Sequence, residues 1–310
     1  MVIKLNSCLD CHKGYITPTM NQISLFDSSR GKGRAANDAN NTAREKILEA
    51  CAAGLSEECV NDPEYGEKWR TLSTKFNEKI RAMSRADFDR YVIERKAGRN
   101  YNYDFLVTFY KDDVPVDLVK VEFKFGARTI RGLPQFYQKS TTWEIMSGPL
   151  YHEFFYDRGY LAQILALDQN APMIDRETYL RFVKQTNYDC HPFFRYLYEN
   201  ESIQQGLRKK IVKQSITDYL TENTANFQLP AFLSSVQQSQ EGKKYLMYFS
   251  GEFYVEDTDF LTNHDIATFK GIVRNNTYVV SSGNYQFGLL LRWKNHQGVL
   301  NPAWQVSVIK

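Results

Sequence analysis

The sequence predicts an α/β protein, because two strongly alternating segments stand in the middle of the chain between segments with helical periodicity. In Tyr101–Tyr110 and Val114–Phe125 apolar residues occupy every second position, which is typical of strands with one buried face. Alternation returns from Lys243 onward. We therefore expect a mixed central sheet flanked by helices, with additional C-terminal β-strands.

Helical spacing of apolar residues predicts two helices before these strands, over 37–53 and 67–83. The second has a stripe of core residues at Trp69, Leu72, Phe76, Ile80 and Met83. Ser84 suits the cap of a third helix, but the segment Phe88–Arg95 also reads as a strand. We expect the helix and keep the strand as the alternative.

After the alternating pair, Pro134 suits the first turn of a short helix, and 149–219 is mostly helical with breaks at 168–174 and 187–192. The later strands are expected at Lys244–Phe249, Glu252–Glu256, Ile272–Val280, Gln286–Trp293 and Trp304–Ile309.

The 310 residues suffice for one large domain or two modest ones. We expect an irregular N-terminal arm over 1–34 and a core over 35–190. The remaining 191–310 form a helical and then β-rich region, which could belong to the same domain.

The charge balance limits the kinds of partner that the protein can bind. Lys and Arg number 39 and Asp and Glu 36, so the net charge of +3 excludes a tail-like polybasic protein but leaves room for a local basic patch. The start lacks a signal-like apolar stretch, and no apolar run approaches the roughly 20 residues of a membrane helix. With five scattered cysteines, we expect an intracellular protein without a membrane partner, in the cytoplasm or the nucleus.

Charged residues on the second alternating segment, Val114–Phe125, indicate a candidate catalytic site. Glu122 and Lys124 are two positions apart and share one face, while the other face is apolar. A three-residue turn after Tyr110 would place Asp104 opposite Lys120 and diagonal to Glu122. A two-residue turn would instead move Asp104 to the other face.

Two carboxylates on one face could share Mg²⁺, with Mn²⁺ as a possible substitute. The backbone carbonyl of Phe123 could supply a further oxygen ligand. Lys124 could orient or deprotonate an attacking water or stabilise developing charge. Hydrolysis of a phosphodiester uses this combination of a metal, carboxylates and a cation.

Asp104 followed by Glu122-Phe123-Lys124, and then by the start of a helix at 133–135, resembles the PD-(D/E)XK nuclease superfamily. Tyr103 stands where the motif of that family has Pro. The resemblance spans roughly residues 40–140. It implies a restriction-endonuclease-like fold and Mg²⁺-dependent DNA hydrolysis at Asp104, Glu122 and Lys124. It also implies a glutamate from an earlier helix, which we match to Glu45, with Glu49 as the substitute.

Basic and polar residues nearby fit a nucleic-acid substrate. Arg128 and Arg131 follow Lys124, and Gln135 and Lys139 would share a face of the expected helix. We expect these four residues to contact DNA phosphates. A second basic cluster lies at Arg208, Lys209, Lys210 and Lys213.

The sequence therefore predicts a Mg²⁺-dependent deoxyribonuclease, restriction-like or homing-like and more probable as an endonuclease than an exonuclease, with a homodimer as one option. Two alternatives stay open: a nucleic-acid-binding protein that keeps the fold without catalysis, and an interaction protein in which Glu122 and Lys124 only pair on a surface. A zinc site at Cys8-x-x-Cys11 is disfavoured, because the other cysteines do not form a second pair.

Overall fold

The computed structural model describes residues 20–28, 34–96, 101–133, 135–142, 144–258, 267–272, 277–283, 285–295 and 299–309. The protein is α/β, with helices and two five-stranded sheets in the described part of the chain. It divides into two compact units. The first contains the described residues within Met1–Ile130 and Ser239–Thr262, and the second those within Arg131–Gln238 and Asn263–Lys310.

This division does not coincide with the expected boundary at residue 190. Strand β3 (Val114–Phe125) pairs in parallel with β5 (Lys243–Phe249). A segment from the last quarter of the chain thus lies beside the strand that carries the predicted site. Segments that are far apart in the sequence therefore belong to the same unit.

The first unit is a mixed sheet with helices packed on it. Its helices are α1 (Arg34–Ala53), α2 (Glu57–Val60) and α3 (Gly66–Arg81), preceded by a 3-10 helix over Met20–Phe26. The sheet order is β1-β2-β3-β5-β6, with β1 at Arg90–Arg95, β2 at Phe105–Lys111 and β6 at Glu252–Asp257. All pairs are antiparallel except β3 with β5.

The apolar face of this sheet packs against α1 and α3. The predicted stripe of α3 is buried in one cluster with alternate residues of β3, among them Val121 and Phe123. Leu246 of β5 lies in the same cluster and is fully buried. Because side chains alternate along a strand, Glu122 and Lys124 belong to the opposite face of β3.

The helix expected after Ser84 is not formed. The segment makes strand β1 instead, with Ile93 opposite Val107 of β2. Ser84 does not cap a helix, since its hydroxyl donates to Asp117 Oδ2 (2.6 Å) and accepts from the N–H of Ala86 (3.1 Å). The alternative prediction of a strand was therefore correct. Buried Ile93 lies between exposed neighbours, which is the burial pattern of a strand with one buried face.

The second unit contains a fully antiparallel sheet in the order β4-β10-β9-β8-β7. Its strands are β4 (Tyr137–Ser140), β7 (Ala267–Ile272), β8 (Thr277–Ser282), β9 (Tyr285–Asn295) and β10 (Leu300–Val308). The helices of this part of the chain are α4 (Tyr151–Asp157), α5 (Tyr160–Leu165), α6 (Arg176–Phe182), α7 (Pro192–Glu199), α8 (Gln205–Glu222) and α9 (Leu229–Gln240). The predicted breaks at 168–174 and 187–192 separate α5 from α6 and α6 from α7.

Aromatic residues form the core of the second unit. The indole N–H of Trp293 donates to the hydroxyl of Tyr151 (2.9 Å), which is also within hydrogen-bond distance of Ser215 Oγ (2.8 Å). These polar atoms are therefore satisfied although they are buried. None of the helices in the described ranges is long and apolar enough to cross a membrane.

Two leucines of the first sheet, one fully buried and one exposed, allow its packing to be tested. We expect Leu246→Ala to lower the free energy of unfolding by about 2–5 kcal/mol, because it opens a cavity in a fully buried cluster. Leu118→Ala removes the same atoms from a residue that is 55% exposed, and should change it by less than about 0.5 kcal/mol. Urea unfolding followed by circular dichroism compares the two, and equal losses would contradict this packing.

Candidate active site

The predicted site residues of β3 lie on its less apolar face. Glu122 and Lys124 are both partly buried, with 15% and 29% of their side chains exposed. Lys124 Nζ pairs with Glu122 Oε1. The two residues share a face because they are two positions apart on a regular strand, as the sequence predicts.

The turn that positions Asp104 differs from the expected one. Asp112 and Asp113 form a two-residue turn with φ of 50° and 64°, and Lys111 pairs with Val114. Positive φ at both central residues is the geometry of a tight hairpin turn. The expected three-residue turn was therefore wrong, and by itself this turn would rotate Asp104 away from Glu122.

A β-bulge reverses that rotation. The register shifts between Phe109, which pairs with Asp117, and Tyr110, which pairs with Pro115, so Val116 is the extra residue. Beyond the bulge Phe105 lies opposite Val121, where the pairing of the two strands ends. The N–H of Asp104, the residue before it, donates to the Val121 carbonyl, so the regular register does not continue to Asp104. The Asp104 carboxylate lies near Glu122 all the same, because it accepts from the N–H of Phe123 and interacts electrostatically with Glu122. Leu106, and not Asp104, lies opposite Lys120.

Backbone hydrogen bonds fix Asp104 just before β2. Its N–H donates to the carbonyl of Val121 (2.9 Å), and its carbonyl accepts from the N–H of Lys96 (2.7 Å). Its side-chain Oδ2 accepts from the N–H of Phe123 (2.8 Å). The N–H and C=O of one strand residue point toward the same neighbouring strand, so the Phe123 carbonyl is directed to the side of Asp104.

The glutamate expected from an earlier helix is Glu45 of α1. Glu45 Oε2 lies 3.7 Å from a guanidinium nitrogen of Arg95, and only 18% of its side chain is exposed. Its carboxylate interacts electrostatically with Asp104, Glu122 and Lys124. Glu49, the alternative to Glu45, makes a backbone contact instead. Its Oε1 accepts a hydrogen bond from the backbone N–H of Arg95 (3.1 Å).

The structure adds a residue that sequence reasoning missed. Lys243, the first residue of β5, has 4% of its side chain exposed, and its Nζ lies 3.6 Å from Glu122 Oε2. The sequence shows only a lysine in front of an apolar strand. The parallel pairing of β5 with β3 that places it here cannot be read from periodicity.

Burial and mutual repulsion shift the acidic groups. Burial, reinforced by the charge of Asp104, raises the pKa of Glu45 to about 7. Burial, reinforced by the charge of Glu122, raises the pKa of Asp104 to about 6. Carboxylates with raised pKa values in a partly buried cluster are typical of functional sites.

The two lysines shift in opposite directions. Burial acts to lower the pKa of Lys124, but the charges of Glu122 and Asp104 outweigh it and raise that pKa above its ordinary value. Lys124 is therefore an ammonium ion at neutral pH. For Lys243 burial dominates over the attraction of Glu122, and its pKa is lowered.

The oxygen atoms at this site are of the chemical type that binds a hard divalent cation. Asp104 and Glu122 offer carboxylate oxygens, and Phe123 a carbonyl, which are the ligands that Mg²⁺ prefers. Within the described ranges, no three His, Cys, Asp or Glu side chains are already grouped as in a metal site. The oxygens of Glu122 meet the ammonium groups of Lys124 and Lys243 instead.

The predicted DNA-contacting residues are divided between the units. Arg128 belongs to the unit of the site, is exposed, and stacks its guanidinium 4.5 Å from the ring of Phe249. Arg131, Gln135 and Lys139 belong to the second unit. Arg131 lies 5.0 Å from the Tyr285 ring.

The expected helix behind Gln135 and Lys139 is not formed. Lys139 is in strand β4 and pairs with Trp304 of β10, while Gln135 is exposed before the strand begins. Their spacing of four therefore does not place them on one helical face. Pro134, on which the helix was predicted, lies outside the described residues.

The other sequence candidates contribute little to this site. In the second basic cluster Lys209, Lys210 and Lys213 are exposed on α8, but Arg208 is buried and donates to the Leu197 carbonyl (3.3 Å). The Cys8/Cys11 pair lies outside the described residues, as does most of the N-terminal arm expected over 1–34.

The raised pKa values predict how stability depends on pH. Neutral Glu45 and Asp104 favour the fold, so their contribution is complete below about pH 4 and is lost as pH rises through about 6–7. Glu45→Gln stays neutral throughout. We expect its free energy of unfolding to rise relative to wild type by about 2–3 kcal/mol between pH 5 and pH 8.

Urea unfolding in EDTA at the two pH values measures this difference. Asp104→Asn should show the same direction. A Glu45→Gln effect of equal size at pH 5 and pH 8 would show that Glu45 is not under repulsion in the folded protein.

Comparison with known proteins gives no relative: no family model, no curated protein and no solved structure matches the chain.

Proposed function

We propose that the protein is a Mg²⁺-dependent deoxyribonuclease of the PD-(D/E)XK type. The observation that supports this most strongly is that the Asp104 carboxylate, held by the Phe123 N–H, interacts with Glu122, and that Lys124 pairs with Glu122. These residue types are the ones that phosphodiester hydrolysis requires, and two elements far apart in sequence add Glu45 and Lys243.

The topology of the first unit also supports the restriction-endonuclease-like fold. Helix α1 supplies the glutamate, strand β1 precedes Asp104, and β2 and β3 form the hairpin. One feature departs from the expected pattern. After β3 the chain enters the second unit and forms β4 where the resemblance implies a helix.

Each residue has a distinct proposed role. Asp104 and Glu122, with the Phe123 carbonyl, would hold Mg²⁺, and the bound metal would supply Lewis-acid activation of the phosphate and of water. Lys124, as an ammonium ion, stabilises negative charge on the phosphate and does not act as a base. Glu45, whose pKa is raised to about 7, accepts the proton of the attacking water.

Duplex DNA is the proposed substrate, and endonucleolytic cutting is the proposed mode. Arg128 is the exposed cation of the first unit that follows the site most closely in sequence, and it suits a phosphate contact. A homodimer, as one way to cut both strands, stays a prediction from family analogy.

Two observations favour a second candidate, a DNA-binding protein without catalysis. Both oxygens of Glu122 already face lysines, and Tyr103 replaces the Pro of the motif. Such a protein would bind duplex DNA, with the steep salt dependence of phosphate contacts, but would not cut it.

Cleavage of supercoiled and linear duplex DNA tests the proposal. We expect wild-type protein to produce fragments with Mg²⁺ and none with EDTA, and Lys124→Ala to lower the rate by about 100-fold or more, because the charged donor beside the phosphate is lost. Agarose gels over time give the rates.

Lys75→Ala is the matched control. It also removes a lysine paired with a glutamate of the first unit, Glu252, but lies outside the site. It should keep wild-type activity. DNA binding without cleavage in Mg²⁺ would favour the non-catalytic candidate, and equal cleavage by Lys124→Ala would remove Lys124 from the proposed mechanism.

A further inference from the structure

Glu122 is held between two ammonium groups that differ in their freedom to move. Lys124 Nζ pairs with Oε1, and 29% of the Lys124 side chain is exposed. Lys243 Nζ lies 3.6 Å from Oε2, and only 4% of its side chain is exposed. Lys124 can therefore turn toward solvent or a phosphate, whereas Lys243 has no comparable route.

The burial of Lys243 fixes its partner. An ammonium group taken out of water is stable only beside a compensating charge, and Glu122 provides it. Strand pairing holds the backbone of Lys243 directly opposite Lys120 of β3. In its charged form Lys243 therefore stays beside Glu122.

Above the pKa values of Asp104 and Glu45, the formal charges of the ion pairs at this site cancel before any metal enters. Three carboxylates, Asp104, Glu122 and Glu45, contribute a formal −3 when ionised. Three cations, Lys124, Lys243 and Arg95, contribute +3. A divalent cation therefore gains little net attraction, and it meets repulsion from a buried ammonium on the same carboxylate.

A DNA phosphate changes this balance. Its negative charge attracts the mobile Lys124 away from Glu122, which frees Oε1 and leaves the carboxylates in excess over the cations. Metal binding and DNA binding then favour each other, and the coupling is reciprocal.

We propose that Lys243 is a further residue of this site, a fixed competitor for Glu122 that makes Mg²⁺ loading depend on bound DNA. The inference rests on the proposed nuclease function. Lys243 is a positioning residue, because it acts through Glu122 and does not reach the reacting atoms.

Calorimetric titration with Mg²⁺ alone, without DNA, tests this role independently of activity. We expect Lys243→Met, which keeps the bulk and removes the charge, to bind Mg²⁺ about tenfold or more tightly than wild type. Lys243→Arg keeps the charge and should stay near the wild-type affinity. Lys75→Met, at an ion pair elsewhere in the first unit, should not differ from wild type.

Fluorescence anisotropy with labelled duplex DNA measures the coupling, with Ca²⁺ as a second oxygen-liganded cation. Ca²⁺ should raise the DNA affinity of wild type more than that of Lys243→Met. Circular dichroism checks folding, and Lys243→Gln serves if Lys243→Met is unfolded.

The outcomes separate this inference from the proposed function. If wild type cuts DNA with Mg²⁺ but the uncharged variants bind Mg²⁺ no more tightly, Lys243 has no such role and the nuclease proposal stands. If wild type neither cuts DNA nor binds Mg²⁺ with DNA present, both proposals are wrong.

Discussion

The register of the β2–β3 hairpin determines whether this protein has a site at all. Side chains alternate along a strand, so a shift of one residue would send Asp104 to the apolar face. The two-residue turn at Asp112 and Asp113 produces that shift, and the bulge at Val116 cancels it. The hydrogen bond from Phe123 N–H to Asp104 then holds the carboxylate beside Glu122. One inserted residue near the hairpin tip thus determines which side chains meet at its far end.

Partial burial gives this arrangement its electrostatic character. The apolar sheet and α1 remove the carboxylates from water, so their repulsion is felt and the pKa values of Glu45 and Asp104 rise. Lysines from adjacent strands and Arg95 from β1 supply the compensating charge. Under the proposed function, these ion pairs would give way to a cation and a phosphate.

Much of this could be predicted from sequence, because periodicity determines which residues share a face of one element. It identified the faces of β3 and α3, and so placed Glu122 with Lys124. It could not identify the bulge at Val116, which depends on pairing between strands. Nor could it identify Lys243, which lies on a strand that pairs in parallel with β3, opposite Lys120, 123 positions earlier. The helix expected near Gln135 is not formed for a related reason. The segment that follows Gln135 is strand β4, which pairs with β10 in a sheet.

The central claim is that Asp104 and Glu122 together hold a divalent cation. Crystals of the protein with duplex DNA and Mn²⁺, measured at the manganese absorption edge, would locate that cation by its anomalous scattering. The account predicts a single strong peak between the two carboxylates, with oxygen ligands at about 2.1–2.2 Å and Lys124 turned away from Glu122. A cation bound elsewhere, or none while Lys124 still pairs with Glu122, would contradict it.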